Sequence, residues 1–303
     1  MNIVITGGNG FIGSHLLQQL AMLGEALTVI DRGPPRLDVD WTSIRYLQGS
    51  FDDSALLSEA LDGADLVYHL ASTTVPGTAN LDPVADIQGN LLGTLALLKA
   101  MHDAGCERLV YLSSGGTVYG DLELERVDEL SPTRPISSYG IVKLAIERYL
   151  LMQQRSGGLK PVILRASNPY GSRQGKLGLQ GLVSTAIDRM SSGLPLHIWG
   201  DGSAVRDYIY IADLIELMVK AGYSERCGVY NAGSGQGASV RQVIDEVARA
   251  LGTEPSVEYG QARAFDVSRV VLDIDRAKTD FNWSPATTLR DGISATVQAF
   301  TPV

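Results

Sequence analysis

The sequence predicts an α/β protein, a doubly wound parallel sheet accompanied by a smaller mixed α/β domain. Three observations predict it. Short β-branched runs alternate with helical patterns through the first half of the chain, as parallel strands covered by helices on both faces require. The first of these strands runs into a glycine turn that opens a helix. The alternation then breaks after Arg165, where a glycine-rich loop replaces it. With 303 residues, 45% of them hydrophobic, the chain can build one large domain and a smaller one.

Asn2–Thr6 is a β-branched run and reads as a buried strand. Gly7, Gly10 and Gly13 follow at three-residue spacing, and Ser14–Leu20 carries apolar residues at helical intervals. Strand, glycine turn and helix together suit a dinucleotide pyrophosphate. Glycines let the backbone approach the phosphates, and the free N–H groups of the helix start, around Phe11, Ile12 and Gly13, favour negative charge. Leu27–Ile30 is a second strand and ends in Asp31. An acid roughly 20 residues after the glycines is placed for the adenosine ribose hydroxyls. Asp31 would repel a 2′-phosphate, which favours NAD over NADP; Arg32, beside it, pulls the other way. This is a Rossmann-type pattern.

Further strands are expected at Arg45–Leu47, Leu66–His69, Arg108–Ser113 and Pro161–Arg165, with helices near Ser54–Leu61, Asn90–Ala104 and Ser138–Gln154. Gly171 to Gly181 holds four glycines and no apolar period, so it reads as a loop. Leu182–Met190 reads as a helix, Leu196–Trp199 as a strand, and Tyr208–Ile211 with Asp213–Ala221 as a strand–helix pair. Val229–Asn231, Val240–Leu251 and the last 50 residues complete a smaller lobe. The expected division is a nucleotide-binding domain over 1–168, rejoined by 205–225, and a substrate domain over 169–303. His197 and Trp199 read as packing residues.

The net charge is −9. No Lys/Arg cluster is long enough to form a nucleic-acid face, which sets that class aside. Cys106 and Cys227 lie far apart without a CxxC pair, and the four histidines show no ligand spacing. A reduced compartment and no structural metal follow. Cys106 reads as a small buried residue at a strand start. The chain shows no basic leader and no apolar run of ~18 residues, which leads us to expect a soluble cytoplasmic protein.

The strongest chemical signal is Tyr139-Gly-Ile-Val-Lys143. Four residues apart on a helix, the two side chains share a face. A free phenol loses its proton near pH ~10, so a tyrosine acting as base near neutrality must shed about 4 kcal/mol of proton affinity. A neighbouring ammonium supplies part of that, and a bound nicotinamide cation more. A surface Tyr/Lys pair would show the same spacing; the glycine turn argues against it.

Together these residues resemble the extended short-chain dehydrogenase/reductase superfamily, in particular its nucleotide-sugar epimerases. The resemblance runs almost the whole length. It is carried by Gly7-Gly-Asn-Gly-Phe-Ile-Gly13, Asp31, His69-Leu-Ala71, Asn90-Leu-Leu-Gly-Thr94, Ser113-Ser-Gly-Gly-Thr-Val-Tyr-Gly120 and Tyr139-xxx-Lys143. Further on come Arg165-Ala-Ser-Asn-Pro-Tyr-Gly171, Val205-Arg-Asp-Tyr-Ile209, Tyr230-Asn-Ala-Gly233 and Arg263-Ala-Phe-Asp266.

The resemblance implies NAD as cofactor, a UDP-sugar as substrate and inversion at C4 through a 4-keto intermediate. Tyr139 would be the acid/base on the sugar O4, and Lys143 would bond the nicotinamide ribose and depress the tyrosine pKa. Ser50, Phe51, Leu70, Ala71, Ser72, Asn90 and Ser113 would join the glycine turn in the NAD site. Asn168 would contact the sugar nucleotide near its phosphates. Arg206 and Arg263 would clamp the pyrophosphate, and Asp266 would sit near the nucleoside ribose. Val270, where hexose-only enzymes carry a tyrosine, would leave room for an N-acetyl group or would simply pack. Equivalent helices of two copies commonly form a four-helix contact in this superfamily, so a homodimer is expected.

Two departures stand out. Gly115 occupies the place of a hydroxyl residue that helps polarise the reacting oxygen; Ser114, or second to it Thr117, would stand in. Ser50 occupies the place of an Asp that reaches the adenine amine. The residues before Val118-Tyr-Gly120 are Gly116 and Thr117, where related 4,6-dehydratases carry Asp-Glu and decarboxylases a Glu. Without a carboxylate, proton abstraction at C5 has no evident base, which favours simple oxidation and re-reduction at C4. The competing readings are a dehydratase, decarboxylase or 4-keto reductase, and, in a different class, a non-catalytic NAD-binding regulator.

Overall fold

A computed structural model describes residues 1–174, 181–261 and 267–300. The chain divides into two compact units: Met1–Ser114, Ser137–Arg165 and Ile215–Tyr230 form the first; Gly115–Ile136, Ala166–Leu214 and Asn231–Val303 form the second.

In the first unit, β1 (Asn2–Thr6), β2 (Ala26–Asp31), β3 (Ile44–Gln48), β4 (Leu66–His69), β5 (Arg108–Ser114), β6 (Lys160–Ala166) and β10 (Gly228–Ala232) make one seven-stranded sheet in the order β10-β6-β5-β4-β1-β2-β3. β1 pairs in parallel with both β2 and β4, so the winding reverses beside it. Ligands of open parallel sheets sit at the carboxyl ends of strands at such a reversal. α1 (Phe11–Met22) follows β1, and the core packs Val4, Ile30, Val67, Leu97, Leu109, Ile146 and Ile163 between the sheet and the helices α2 (Ser54–Leu61), α4 (Gly93–Asp103) and α5 (Ser138–Arg155). Strand and helix positions match the sequence reading closely because one apolar run or period defines each.

The expected helix at Asn90 begins earlier. Pro83–Asp86 forms a short helix, α3, which passes through a π-turn at Ile87–Leu92 into α4. The start signal was Asp82-Pro83: the Asp82 side chain accepts the Ala85 N–H at 3.0 Å, and proline suits a first helical turn.

In the second unit, β9 (Val205–Tyr210) is the hub of a four-stranded mixed sheet. It pairs with β7 (Asn168–Tyr170) and β13 (Arg269–Val270) in parallel and with β11 (Gly237–Ser239) antiparallel. β8 (Leu196–Trp199) pairs separately with β12 (Val257–Gly260). A second core gathers Val183, Ile187, Ile198, Val243, Val247 and Ile293, partly from α6 (Leu182–Ser191), α8 (Val240–Leu251) and α10 (Leu289–Phe300). α7 (Ile211–Tyr223) and α9 (Asp275–Phe281) complete the set. His197 and Trp199 do not pack inward as expected. Alternation along β8 turns both outward, and His197 pairs with Glu258 at 2.9 Å while Trp199 stays exposed. No helix among the described residues is long and apolar enough to cross a membrane.

Candidate active site

The glycine turn is built by close approach. Gly7 has φ +76°, and a Cβ there would lie 2.7 Å from the Ala71 nitrogen; one on Gly13 would lie 2.3 Å from the Gly7 carbonyl. The loops after β1 and β4 therefore touch backbone to backbone, which only glycine permits. Gly10 starts α1 without a side-chain cap. The N–H groups of Phe11, Ile12 and Gly13 consequently face outward from the helix start with no partner inside the helix. Asp31 ends β2 beside this turn; its two oxygens accept the Asn9 N–H at 3.1 Å and the Gly33 N–H at 3.2 Å, leaving further lone pairs for hydroxyl donors. Arg32 is exposed. Uncapped amides at a helix start, a glycine-lined approach and an acid on the neighbouring strand fit a dinucleotide such as NAD.

The other residues expected around the cofactor are placed variously. Ser50 follows β3 and is half-buried, whereas the Phe51 ring turns into the core against His69 at 5.1 Å. Phe51 can offer only its backbone. The Leu70 N–H bonds Thr6 O, and the Ser72 hydroxyl donates to Thr74 O at 2.8 Å. The Asn90 amide is engaged within the fold: its oxygen accepts the Thr73 N–H, and its nitrogen donates to Thr74 Oγ1 and Asp86 Oδ1. The Ser113 hydroxyl donates to Glu147 at 2.5 Å.

Tyr139 and Lys143 lie one turn apart at the start of α5, whose N-cap Ser137 accepts the Gly140 N–H. Lys143 Nζ donates to Leu112 O at 2.9 Å and lies 4.9 Å from the Tyr111 ring centre and 5.6 Å from that of Tyr139. Burial pushes the Lys143 ammonium down to about 8, against the opposing charges of Asp86 and Glu147. Burial pushes the Tyr139 phenol up to about 12, and Asp86 adds to the rise. The chain alone thus sets Tyr139 against ionisation; a positive charge bound beside it would act the other way.

Beneath this pair, His69 is fully buried and bridges three elements. Thr6 Oγ1 lies 2.7 Å from Nδ1 and Thr94 Oγ1 2.9 Å from Nε2. The Thr94 hydroxyl donates its own proton to Asn90 O at 2.6 Å, so it accepts from His69 Nε2–H. Burial first, and then the Lys143 charge, hold the imidazole neutral, with its pKa down to about 3.

Ser114 ends β5 and is half-buried. In the second unit, Thr117 carries a buried hydroxyl with no hydrogen-bond partner, an unspent donor of the kind the Gly115 departure calls for. Asn168 donates from Nδ2 to Asp207 O at 2.8 Å. Arg206 is half-buried and donates from Nη1 to Val205 O at 2.9 Å. The adjacent Asp207 carboxylate is filled by Ser234, Gly235 and Leu272. Val270 is buried and in register with Arg206. Arg263 and Asp266 lie outside the described residues.

Residues 3–233 match the NAD dependent epimerase/dehydratase family. The chain belongs to that family. Among solved structures, it is 32% identical to the UDP-glucose 4-epimerase of Thermotoga maritima with UDP-glucose, with TM-score 0.94 over 99% of this chain and 98% of the other. It is 36% identical to the UDP-glucose 4-epimerase of Thermus thermophilus in complex with NAD, with TM-score 0.93 over 99% of both chains. Among curated relatives, a dTDP-4-dehydro-6-deoxyglucose reductase of Escherichia coli is 30% identical, over 98% of this chain and 96% of its own. The family is NAD-dependent, as the cofactor in the Thermus thermophilus structure illustrates. What the sequence reading missed here is the buried polar framework, Thr6–His69–Thr94 and Asp86–Ser138, whose members come from distant segments and carry no local spacing.

Proposed function

We propose that this chain inverts C4 of a UDP-hexose, UDP-glucose/UDP-galactose with the N-acetyl forms open, through a 4-keto intermediate. The observation that carries the reading is the Tyr139/Lys143 pair on one face of α5, 5.6 Å from ammonium to ring. NAD, when bound, supplies the oxidation and re-reduction at C4. Tyr139 as phenolate takes the O4 proton and later returns it. Lys143 holds the nicotinamide ribose and keeps positive charge beside the phenolate. Ser114 or Thr117 bonds the reacting oxygen. Asn168 and Arg206 hold the nucleotide diphosphate, with Arg263 and Asp266 assigned to the diphosphate and ribose by resemblance.

Gly116 and Thr117 supply no carboxylate, which speaks against elimination or decarboxylation. A 4-keto reductase is the second reading, supported by the E. coli relative. Exposed Leu81, Val84, Ile87, Ile141 and Met152 around α3 and α5 support a homodimer through these helices; sedimentation would check it. Two free cysteines suit a reducing, cytoplasmic setting.

The test is NMR of the NAD-loaded protein with UDP-glucose and, separately, UDP-N-acetylglucosamine. Equilibration to the galacto isomer without net NADH is the expected result, and the faster sugar tests the room left by Val270. Consumption of NADPH with a 4-keto sugar, and no epimerisation, would replace this reading with the reductase.

A further inference from the structure

Asp86 is fully buried, and three donors from separate segments converge on it. Oδ1 accepts the Thr74 hydroxyl at 2.7 Å and the Asn90 amide at 2.8 Å; Oδ2 accepts the Ser138 hydroxyl at 2.7 Å. Ser138 immediately precedes Tyr139, and its backbone N–H is held too, by Asn80 Oδ1 at 2.8 Å. The first turn of α5 is thereby tied, side chain and backbone, to the segment between β4 and α4.

The donors on Asp86 are all neutral. A buried carboxylate among neutral donors is costly, and a scaffold contact of this shape could be made with an amide. The charge itself therefore needs a reason. It sits at the N-terminal turn of an eighteen-residue helix, where the peptide dipoles favour an anion. The carboxylate is bound to Ser138, the residue next to Tyr139, and its charge acts on both Tyr139 and Lys143. The other ionisable groups around that pair are spoken for: Glu147 on α5 is bound to Arg165, His69 from β4 is held neutral, and the Tyr111 phenol from β5 is kept protonated by burial.

We propose that Asp86 is a positioning residue for the Tyr139/Lys143 pair: it fixes the first turn of α5 through Ser138 and presents a negative charge to both groups. The proposal rests on Tyr139 and Lys143 being the reacting pair. Asp86 strengthens proton binding at Tyr139 and at Lys143 together. The working pH window is thus set by a residue whose own oxygens are engaged by Thr74, Asn90 and Ser138.

The experiment uses NAD-loaded protein. Phenolate absorbance is titrated in the native chain, Asp86→Asn, Asp86→Ser and Ser138→Ala, with Tyr139→Phe as the blank that isolates the Tyr139 signal. Asp86→Asn and Asp86→Ser should each lower the Tyr139 midpoint by about one pH unit. Both limbs of the pH–turnover curve should slide to lower pH with it. Ser138→Ala, which keeps the charge but releases the turn, should cut kcat about tenfold at unchanged KM.

An unmoved midpoint in a folded Asp86 variant, or a curve lowered in height alone, overturns the proposal. Failure of both Asp86 variants to fold assigns the residue to the scaffold and overturns it equally. If the native chain converts no UDP-hexose, the functional reading fails, and the phenolate titration still decides this one.

Discussion

α5 carries two buried charges one turn apart, and they are treated oppositely. Glu147 is 1% exposed and saturated: Arg165 reaches it from Nε at 3.1 and 3.2 Å and from Nη2 at 2.7 Å, and Ser113 donates at 2.5 Å. Lys143 is 7% exposed and has one carbonyl oxygen and two aromatic faces, with no acid in contact. A buried charge met by its counter-charge and every lone pair filled is scaffold. One left short of partners is held at a free-energy cost that only function explains. Four residues of one helix separate the group that ties α5 to β6 from the group proposed to do chemistry.

The sharpest break between the two is made at Tyr139. Tyr139→Phe keeps the ring over Lys143 and removes only the hydroxyl. It should cut epimerisation by about 10⁴-fold, about 5.5 kcal/mol of barrier, while the melting temperature and NAD retention stay near those of the native chain. Coupled turnover and calorimetry on the same sample check it. Equal turnover in the variant would move the acid/base role elsewhere.

Glu147→Ala should do the reverse. It strands the Arg165 guanidinium in the core, at about 4 kcal/mol of stability. Denaturant unfolding would show that loss as a lower midpoint. Protein that stays folded should retain turnover within about threefold, because the Glu147 carboxylate is spent on Arg165 and Ser113; the energy is assigned to scaffold.

Lys143→Met measures the cost on the functional side. In the fold the lysine gives up its proton near pH 8 rather than 10.5, a difference of about 3 kcal/mol. Loss of the bond to Leu112 O offsets about 1 kcal/mol of that. The variant should therefore be about 2 kcal/mol more stable at pH 7, and inactive. The sign fixes the pH dependence. Below pH 8 the lysine is charged in both states, so the native fold bears the desolvation cost in full. From pH 8 to 10.5 the folded form releases its proton while the unfolded form keeps it, and the cost fades. The stability advantage of Lys143→Met should shrink across that interval. An advantage constant from pH 7 to 10.5 would mean that Lys143 is paired as well as Glu147 is.

This contrast also marks what a sequence can disclose. The glycine turn, Asp31 and Tyr139/Lys143 were legible because each is a local spacing on a strand end or a helix face. The saturating contacts were not. Glu147 meets Arg165 across 18 residues, Ser138 meets Asp86 across 52, and Thr6 meets His69 across 63, and no period links such pairs. Asn90 and Ser113 were legible as motif members, but the motif does not say that their side chains turn into the fold, toward Thr73 and Glu147. His197 and Trp199 were misread because an apolar run does not reveal which face of a two-stranded ribbon is covered.

The smallest effect tests the contrast most finely. The Tyr111 ring lies under Lys143 at 4.9 Å and stacks on His69 at 5.6 Å, yet its buried hydroxyl has no hydrogen-bond partner. The ring then serves the lysine, and the hydroxyl is a cost. Tyr111→Phe keeps the ring and removes the unpartnered group, so stability should be unchanged or rise by up to about 1 kcal/mol. Tyr111→Leu, which removes the ring, should lose stability and lower the Lys143 midpoint further, read by NMR of the ¹⁵N-labelled lysine. If Tyr111→Phe instead loses more than about 1 kcal/mol, the hydroxyl is satisfied, by an enclosed water or by the ammonium itself. Lys143 would then sit in a compensated network like that of Glu147, and the division of α5 into scaffold and chemistry would fall at a different residue.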